Sequence, residues 1–216
     1  MTYLKAIYKK SDFKKLSWGD YAKTLDTLFK KIEHFVKLKK VRIDAIVPIL
    51  RGGGIPATYL AYKLGILRII PIQYHYRFLK RSVELRQLLE ISPTIKLEDS
   101  PTILIVEGNH CFGLTGQAAI DDVRVRFPGA KILYAADHMD YSYQEVKNAD
   151  AVFFGKLTNE TRALSSEESE KAGIENPLSY LFPWENLEEE YITTQSKQFQ
   201  YKDVHLLEKG LLKKKM

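Results

Sequence analysis

Residues 106 to 117 read Val106-Glu107-Gly108-Asn109-His110-Cys111-Phe112-Gly113-Leu114-Thr115-Gly116-Gln117. An apolar run, Thr102-Ile103-Leu104-Ile105-Val106, leads into them, and Ala118-Ala119-Ile120 follows. The layout is strand, glycine-rich loop, helix. Such a loop aims backbone N–H groups at a helix start and so favours an anion such as phosphate. Gly108 and Cys111 are the odd residues inside it.

Working outward, the same alternation repeats. Ser17-Trp18-Gly19-Asp20 reads as a capped helix start, and Tyr21, Leu25, Leu28, Phe29, Ile32 and Phe35 follow at helical spacing. Ile43 to Leu50 is a mostly apolar run, as in strands buried on both faces. Arg51-Gly52-Gly53-Gly54 is a sharp turn into a second helix, with Pro56 near its start and Gly65 at its end. Leu67 to Tyr74 is a strand candidate that Pro71 places at an edge or a bulge. Residues 75 to 100 carry Arg77, Lys80, Arg81 and Arg86, with a short helix expected around Leu85, Leu88 and Leu89.

Beyond the quoted stretch, a helix is expected from about Gly116 to Phe127, stopped by Pro128-Gly129. Strands are expected at 131–136 and 151–155, with a short helix at 141–149 between them. Residues 157–178 read as a polar insertion, and 179–216 as a small hood and tail with a helical-looking end. Strands alternating with helices predict an α/β fold, a mostly parallel central sheet flanked by helices. A single domain over 1–216 is expected, with its core at about 17–156. Ligands in such sheets bind at the carboxyl ends of strands, where both glycine turns lie.

Composition narrows the function classes. The 216 residues are 45% hydrophobic and 28% charged, with a net charge of +6. Much of that charge sits at the ends, in Lys9, Lys10, Lys14 and Lys15 and in Lys213 to Lys215. It reads either as solvated termini or as a basic surface for phosphorylated ligands, and no nucleic-acid motif supports a nucleic-acid partner. No apolar stretch approaches a membrane span, and the start carries no signal-peptide core, so a cytoplasmic protein is expected. One cysteine excludes an internal disulfide. Five scattered histidines and one cysteine show no ligand spacing for a directly bound metal.

Together these segments resemble the type I phosphoribosyltransferases, closest to the purine-salvage branch for xanthine, guanine and hypoxanthine. Ile49-Leu50-Arg51-Gly52-Gly53 looks like that family's pyrophosphate loop, and Phe182-Pro183-Trp184-Glu185 like the ending that closes its base pocket. The quoted stretch stands in the place of its phosphoribosyl pyrophosphate (PRPP) motif: an apolar pair, two acids, two apolar residues, then Asp-Thr-Gly-x-Thr. Glu107, Gly113 and Thr115 keep the pattern; Gly108, Cys111 and Phe112 depart from it.

The resemblance implies binding of PRPP or a nucleoside monophosphate through Arg51, Gly52, Gly53, Glu107, Gly113, Leu114, Thr115 and Gly116. It implies magnesium (Mg2+) carried mainly on the ligand, a nucleobase as second substrate, and a homodimer. Glu107 and Cys111 fall where the family has catalytic acids. Asp137 and Tyr180 fall where the family reads and stacks the base, and 75–100 where it carries a mobile flap. Glu107 is also readable as a solvated or N-capping acid at a strand end, and Asp137 and Tyr180 equally as a loop acid and as core. Losing one acid at Gly108 weakens the grip on ribose by a charge-assisted bond, roughly 1.5–3 kcal/mol. Losing a general acid–base group at Cys111 lowers rate by about 10²–10⁴. Two functions follow: transfer with altered base specificity, or a catalytically impaired relative that senses a nucleotide.

Overall fold

The computed structural model describes residues 9–79, 82–177 and 179–191, and gives no side-chain surroundings for 76–84. The elements in chain order are β1 (Phe13–Lys15), α1 (Trp18–Lys39), β2 (Ala45–Leu50), α2 (Gly54–Leu64), β3 (Ile72–Leu79), β4 (Ser82–Leu89), β5 (Thr102–His110), α3 (Leu114–Arg126), β6 (Lys131–Asp140), β7 (Ala151–Thr158), α4 (Ser166–Lys171) and β8 (Ser179–Leu181). Six strands form one sheet in the order β4-β3-β2-β5-β6-β7. The pairs from β3 through β7 are parallel. β4 lies beside β3 at the edge of the sheet.

Two compact units divide the chain. The larger holds 18–74 and 87–176 and contains most of the sheet. Its β2, β5 and β6 are buried almost throughout because helices cover both faces. On one face Ile103, Ile105, Ile132 and Tyr134 pack with Ala119, Ile120 and Val123 of α3. On the other Ile46, Leu104 and Leu133 pack with Leu28 and Ile32 of α1 and Leu60 of α2. α1 buries Tyr21, Leu25, Leu28 and Ile32, the stripe its spacing predicted. α2 ends at Gly65 in the left-handed conformation, φ 68°, whose N–H reaches the carbonyls of Ala61 and Tyr62.

The smaller unit holds 1–17, 75–86 and 177–216. There β1 and β8 pair in parallel, and Leu16 donates to the Leu181 carbonyl at 2.9 Å. The Pro-Trp-Glu ending is a tight turn: the Phe182 N–H donates to Glu185 Oε2 at 2.8 Å, and Trp184 stacks on Phe182 with centroids 5.1 Å apart. The lysines at 213–215, the helical-looking end beyond 191, and the side chains of Arg77, Lys80 and Arg81 lie outside the described residues.

Four sequence expectations are corrected. β5 runs to His110, so Glu107 to His110 are strand and the loop shrinks to Cys111–Gly113. β6 runs to Asp140, which places Asp137 inside a strand. Residues 82–89 form β4 in place of a short helix, since pairing at the sheet edge outweighs a local leucine pattern. Residues 141–149 make only a 3-10 turn at Tyr141–Tyr143, capped by the Asp140 side chain. The polar insertion is ordered around Asn159, whose amide group lies within hydrogen-bond reach of Leu164, Ser169 and Asn176. Asp140 accepts from the Thr161 N–H at 2.9 Å and its hydroxyl at 2.8 Å.

Candidate functional site

The turn after β2 is built by glycines pressed against β5. The Leu50–Arg51 peptide is cis. Gly53 donates its N–H to the Ile49 carbonyl at 2.8 Å, and Gly54 to the Arg51 carbonyl at 3.0 Å. A Cβ on Gly53 would collide with the backbone of Val106 and Ile49. A Cβ on Gly108 would lie 2.7 Å from the Gly52 carbonyl oxygen and 2.9 Å from its carbon. Both neighbours are backbone, so neither can swing aside. Gly108 is therefore the residue that lets the Arg51–Gly53 turn sit on β5, and no acid fits there with the turn in place. Arg51 itself is exposed.

Glu107 is turned into the protein. It is only 8% exposed. The Thr115 hydroxyl donates to its Oε1 and the Tyr134 hydroxyl to its Oε2. With the Tyr134 hydroxyl directed at Glu107, His110 Nδ1–H donates to the Tyr134 oxygen at 2.7 Å and leans on Glu107 Oε2 at 3.3 Å. Each bond to the carboxylate contributes roughly 1.5–3 kcal/mol, so swinging Glu107 out to a ligand would forfeit more than one of them. Tyr134 is wholly buried and His110 is 3% exposed. Two glycines make room for this cluster. Gly113 takes a left-handed φ of 70°, and a Cβ there would lie 2.8 Å from His110 Nε2. Gly116 lies against the Tyr134 hydroxyl, where a Cβ would collide.

The start of α3 stays open. Its N-cap is Gly113, with no side-chain cap and no acid in the first turn. The first amides of a helix have no acceptor within it, so those of Leu114, Thr115 and Gly116 have none in α3 and favour an anion. Thr115 offers its amide there, while its hydroxyl is held by Glu107. Cys111 is partly exposed beside this opening. Phe112 packs edge-on against Tyr143, centroids 5.6 Å apart.

The base-side expectations separate. Asp137 is fully buried, where the sequence reading had a loop acid facing a base. His138, also fully buried, donates from Nδ1 to Asp137 Oδ2 at 2.6 Å. Burial pushes the Asp137 carboxyl above the usual range, and the bond to His138 and the charge of Lys156 oppose that rise. Tyr180 belongs to the smaller unit, where β8 buries it beside Phe182. Among the described residues no three of His, Cys, Asp and Glu gather to hold a metal ion.

Sequence reasoning missed Tyr134, His110 and Asp122. Tyr134 interrupts the aliphatic run Ile132 to Ala136, which is the signal it left. Asp122 on α3 accepts from the Tyr74 hydroxyl and from Gln87 Nε2 at 2.8 Å, which ties the base of β3 and β4 to the helix. Burial and this carboxylate push the Tyr74 hydroxyl pKa well up.

No family model matches the chain. Among solved structures it is similar to a purine phosphoribosyltransferase from Pyrococcus horikoshii Ot3, at 23% identity and a TM-score of 0.58 over 81% of this chain and 95% of that one. It is similar to a hypothetical protein from Neisseria gonorrhoeae with bound ppGpp, at 17% identity and 0.60 over 84% and 95%. A third is the Helicobacter pylori xanthine-guanine-hypoxanthine phosphoribosyltransferase, at 18% and 0.55 over 83% and 97%. Among the described residues no helix is long and apolar enough to cross a membrane. The strand order, the turn after β2 packed at Gly52 against Gly108 of β5, and these likenesses over most of the chain give this protein the type I phosphoribosyltransferase fold.

Proposed function

We propose that this chain binds a phosphorylated ribose, either PRPP or a nucleoside 5′-monophosphate, and acts as a nucleotide sensor or regulator without transferring the phosphoribosyl group. The observation that carries this reading is the inward Glu107, held by Thr115, Tyr134 and His110. A transferase of this fold needs acids at the ribose and near the base. Here one acid is sealed, one is replaced by a glycine packed against the Gly52 backbone, and one is Cys111. The phosphate-binding parts survive: uncapped amides at the start of α3, and the exposed cation of Arg51. The N. gonorrhoeae structure holds a guanine nucleotide, ppGpp, which supports a nucleotide as the ligand class. Magnesium would arrive bound to the ligand, with Glu107 committed elsewhere.

The test pairs binding with turnover. The purified chain is titrated with magnesium PRPP and with purine nucleoside 5′-monophosphates, then incubated with PRPP and a panel of nucleobases. Micromolar binding with no pyrophosphate released above background is expected. Release that depends on one base would make the protein a transferase with altered specificity.

A further inference from the structure

Acids that could read a sugar are the place to look for selectivity, and those on β5 and β6 are Glu107, Asp137 and Asp140. All three are buried. Glu107 accepts from Thr115 on one oxygen and from Tyr134 and His110 on the other. Asp137 accepts from His138. Asp140 accepts from Ser142 and Thr161. Gly108 adds no side chain, and the Gly52 backbone leaves no room for one. Each carboxylate at this end of β5 and β6 therefore faces a donor from the protein itself.

We propose that the site does not read the ribose 2′ and 3′ hydroxyls, so its ligand class is 5′-phosphorylated nucleotides whatever the lower edge of the sugar carries, 2′-deoxy forms included. This rests on the phosphate-binding reading above and sharpens it. A site rejects an analogue lacking a hydroxyl when a buried polar group is left unpaired by the loss. At Glu107 the sugar's absence leaves nothing unpaired, because both of its oxygens accept from the protein before any ligand arrives; the unpartnered Oδ1 of Asp137 is wholly buried within β6. The Tyr134 hydroxyl is the key positioning group. Gly116 leaves room for it, His110 bonds it, and it donates to Glu107 Oε2.

The experiment titrates the full chain with adenosine and guanosine 5′-monophosphates and with their 2′-deoxy counterparts. The two members of each pair are expected to bind within about twofold of each other. A preference of about tenfold or more for the ribo form overturns this inference alone. Failure of every 5′-phosphate to bind overturns the phosphate-binding reading and this inference with it. Tyr134→Phe releases one oxygen of Glu107 and is expected to introduce a severalfold ribo preference. An unchanged ratio in a folded Tyr134→Phe protein overturns the role given to Tyr134. If that variant does not fold, Thr115→Val releases the other oxygen and is read in the same way.

Discussion

The turn after β2 and the turn after β5 share a place in the fold and follow opposite plans. In the first, the Gly53 and Gly54 amides are satisfied within the turn while the Arg51 side chain stands in solvent. In the second, the Glu107 side chain is sealed while the helix amides after Gly113 have no partner within α3. One turn offers a side-chain cation and the other a backbone anion hole. What neither offers is a carboxylate facing outward. On the proposed reading, the fold keeps a place for phosphate while withdrawing the groups that would handle the sugar, because backbone geometry serves the phosphate and side chains the sugar.

The harshest way to break this contrast is to add a methyl group where the turn after β2 packs on β5. Gly53→Ala puts a Cβ into the Val106 carbonyl and the Ile49 backbone, and should lose about 3 kcal/mol or more in urea unfolding. Gly108→Asp meets the Gly52 backbone and should lose a similar amount with no gain of transferase activity. A stable Gly108→Asp protein that released pyrophosphate would show the site to be merely decayed. Tyr134→Phe comes next, removing a hydroxyl from a buried carboxylate. It should lower stability by about 1–3 kcal/mol, read from the shift in urea midpoint.

A pH comparison sharpens the account on the base side. Because burial raises the Asp137 carboxyl, its protonated form is favoured in the folded chain. That contribution is complete below the ordinary value of 3.8 and is lost as pH rises through the raised folded value. Asp137→Asn should remove the dependence. The stability of the variant relative to the native chain should then improve as pH is raised from about 4 toward neutrality. Constant relative stability across that interval would mean His138 and Lys156 fully offset burial. The smallest effect is expected at Arg51. Arg51→Ala should change stability by no more than about 0.5 kcal/mol, since the side chain is exposed, yet weaken phosphate ligands about tenfold by titration.

Much of the frame was legible in the chain. The stripe of α1, the Gly65 stop and the apolar runs of β2, β5 and β6 are one-dimensional signals of burial. The limits of β5 and β6 were not legible, because Glu107, Asn109, His110, Asp137 and Asp140 look like loop residues until a neighbouring strand pairs with them. Two of them find partners far along the chain: Tyr134 for Glu107, Thr161 for Asp140. Gly108 could be seen to lack an acid but not to forbid one. That reason lies in the carbonyl of Gly52, which only the folded chain brings within reach.

The most direct test of the sealed carboxylate is calorimetric titration of magnesium PRPP into the native chain and into Glu107→Gln, with folding of the variant checked by its melting curve. The account predicts micromolar binding in both, with affinities within about threefold of each other. Loss of about tenfold or more in a folded Glu107→Gln protein would contradict it, because Glu107 would then be reaching the ribose.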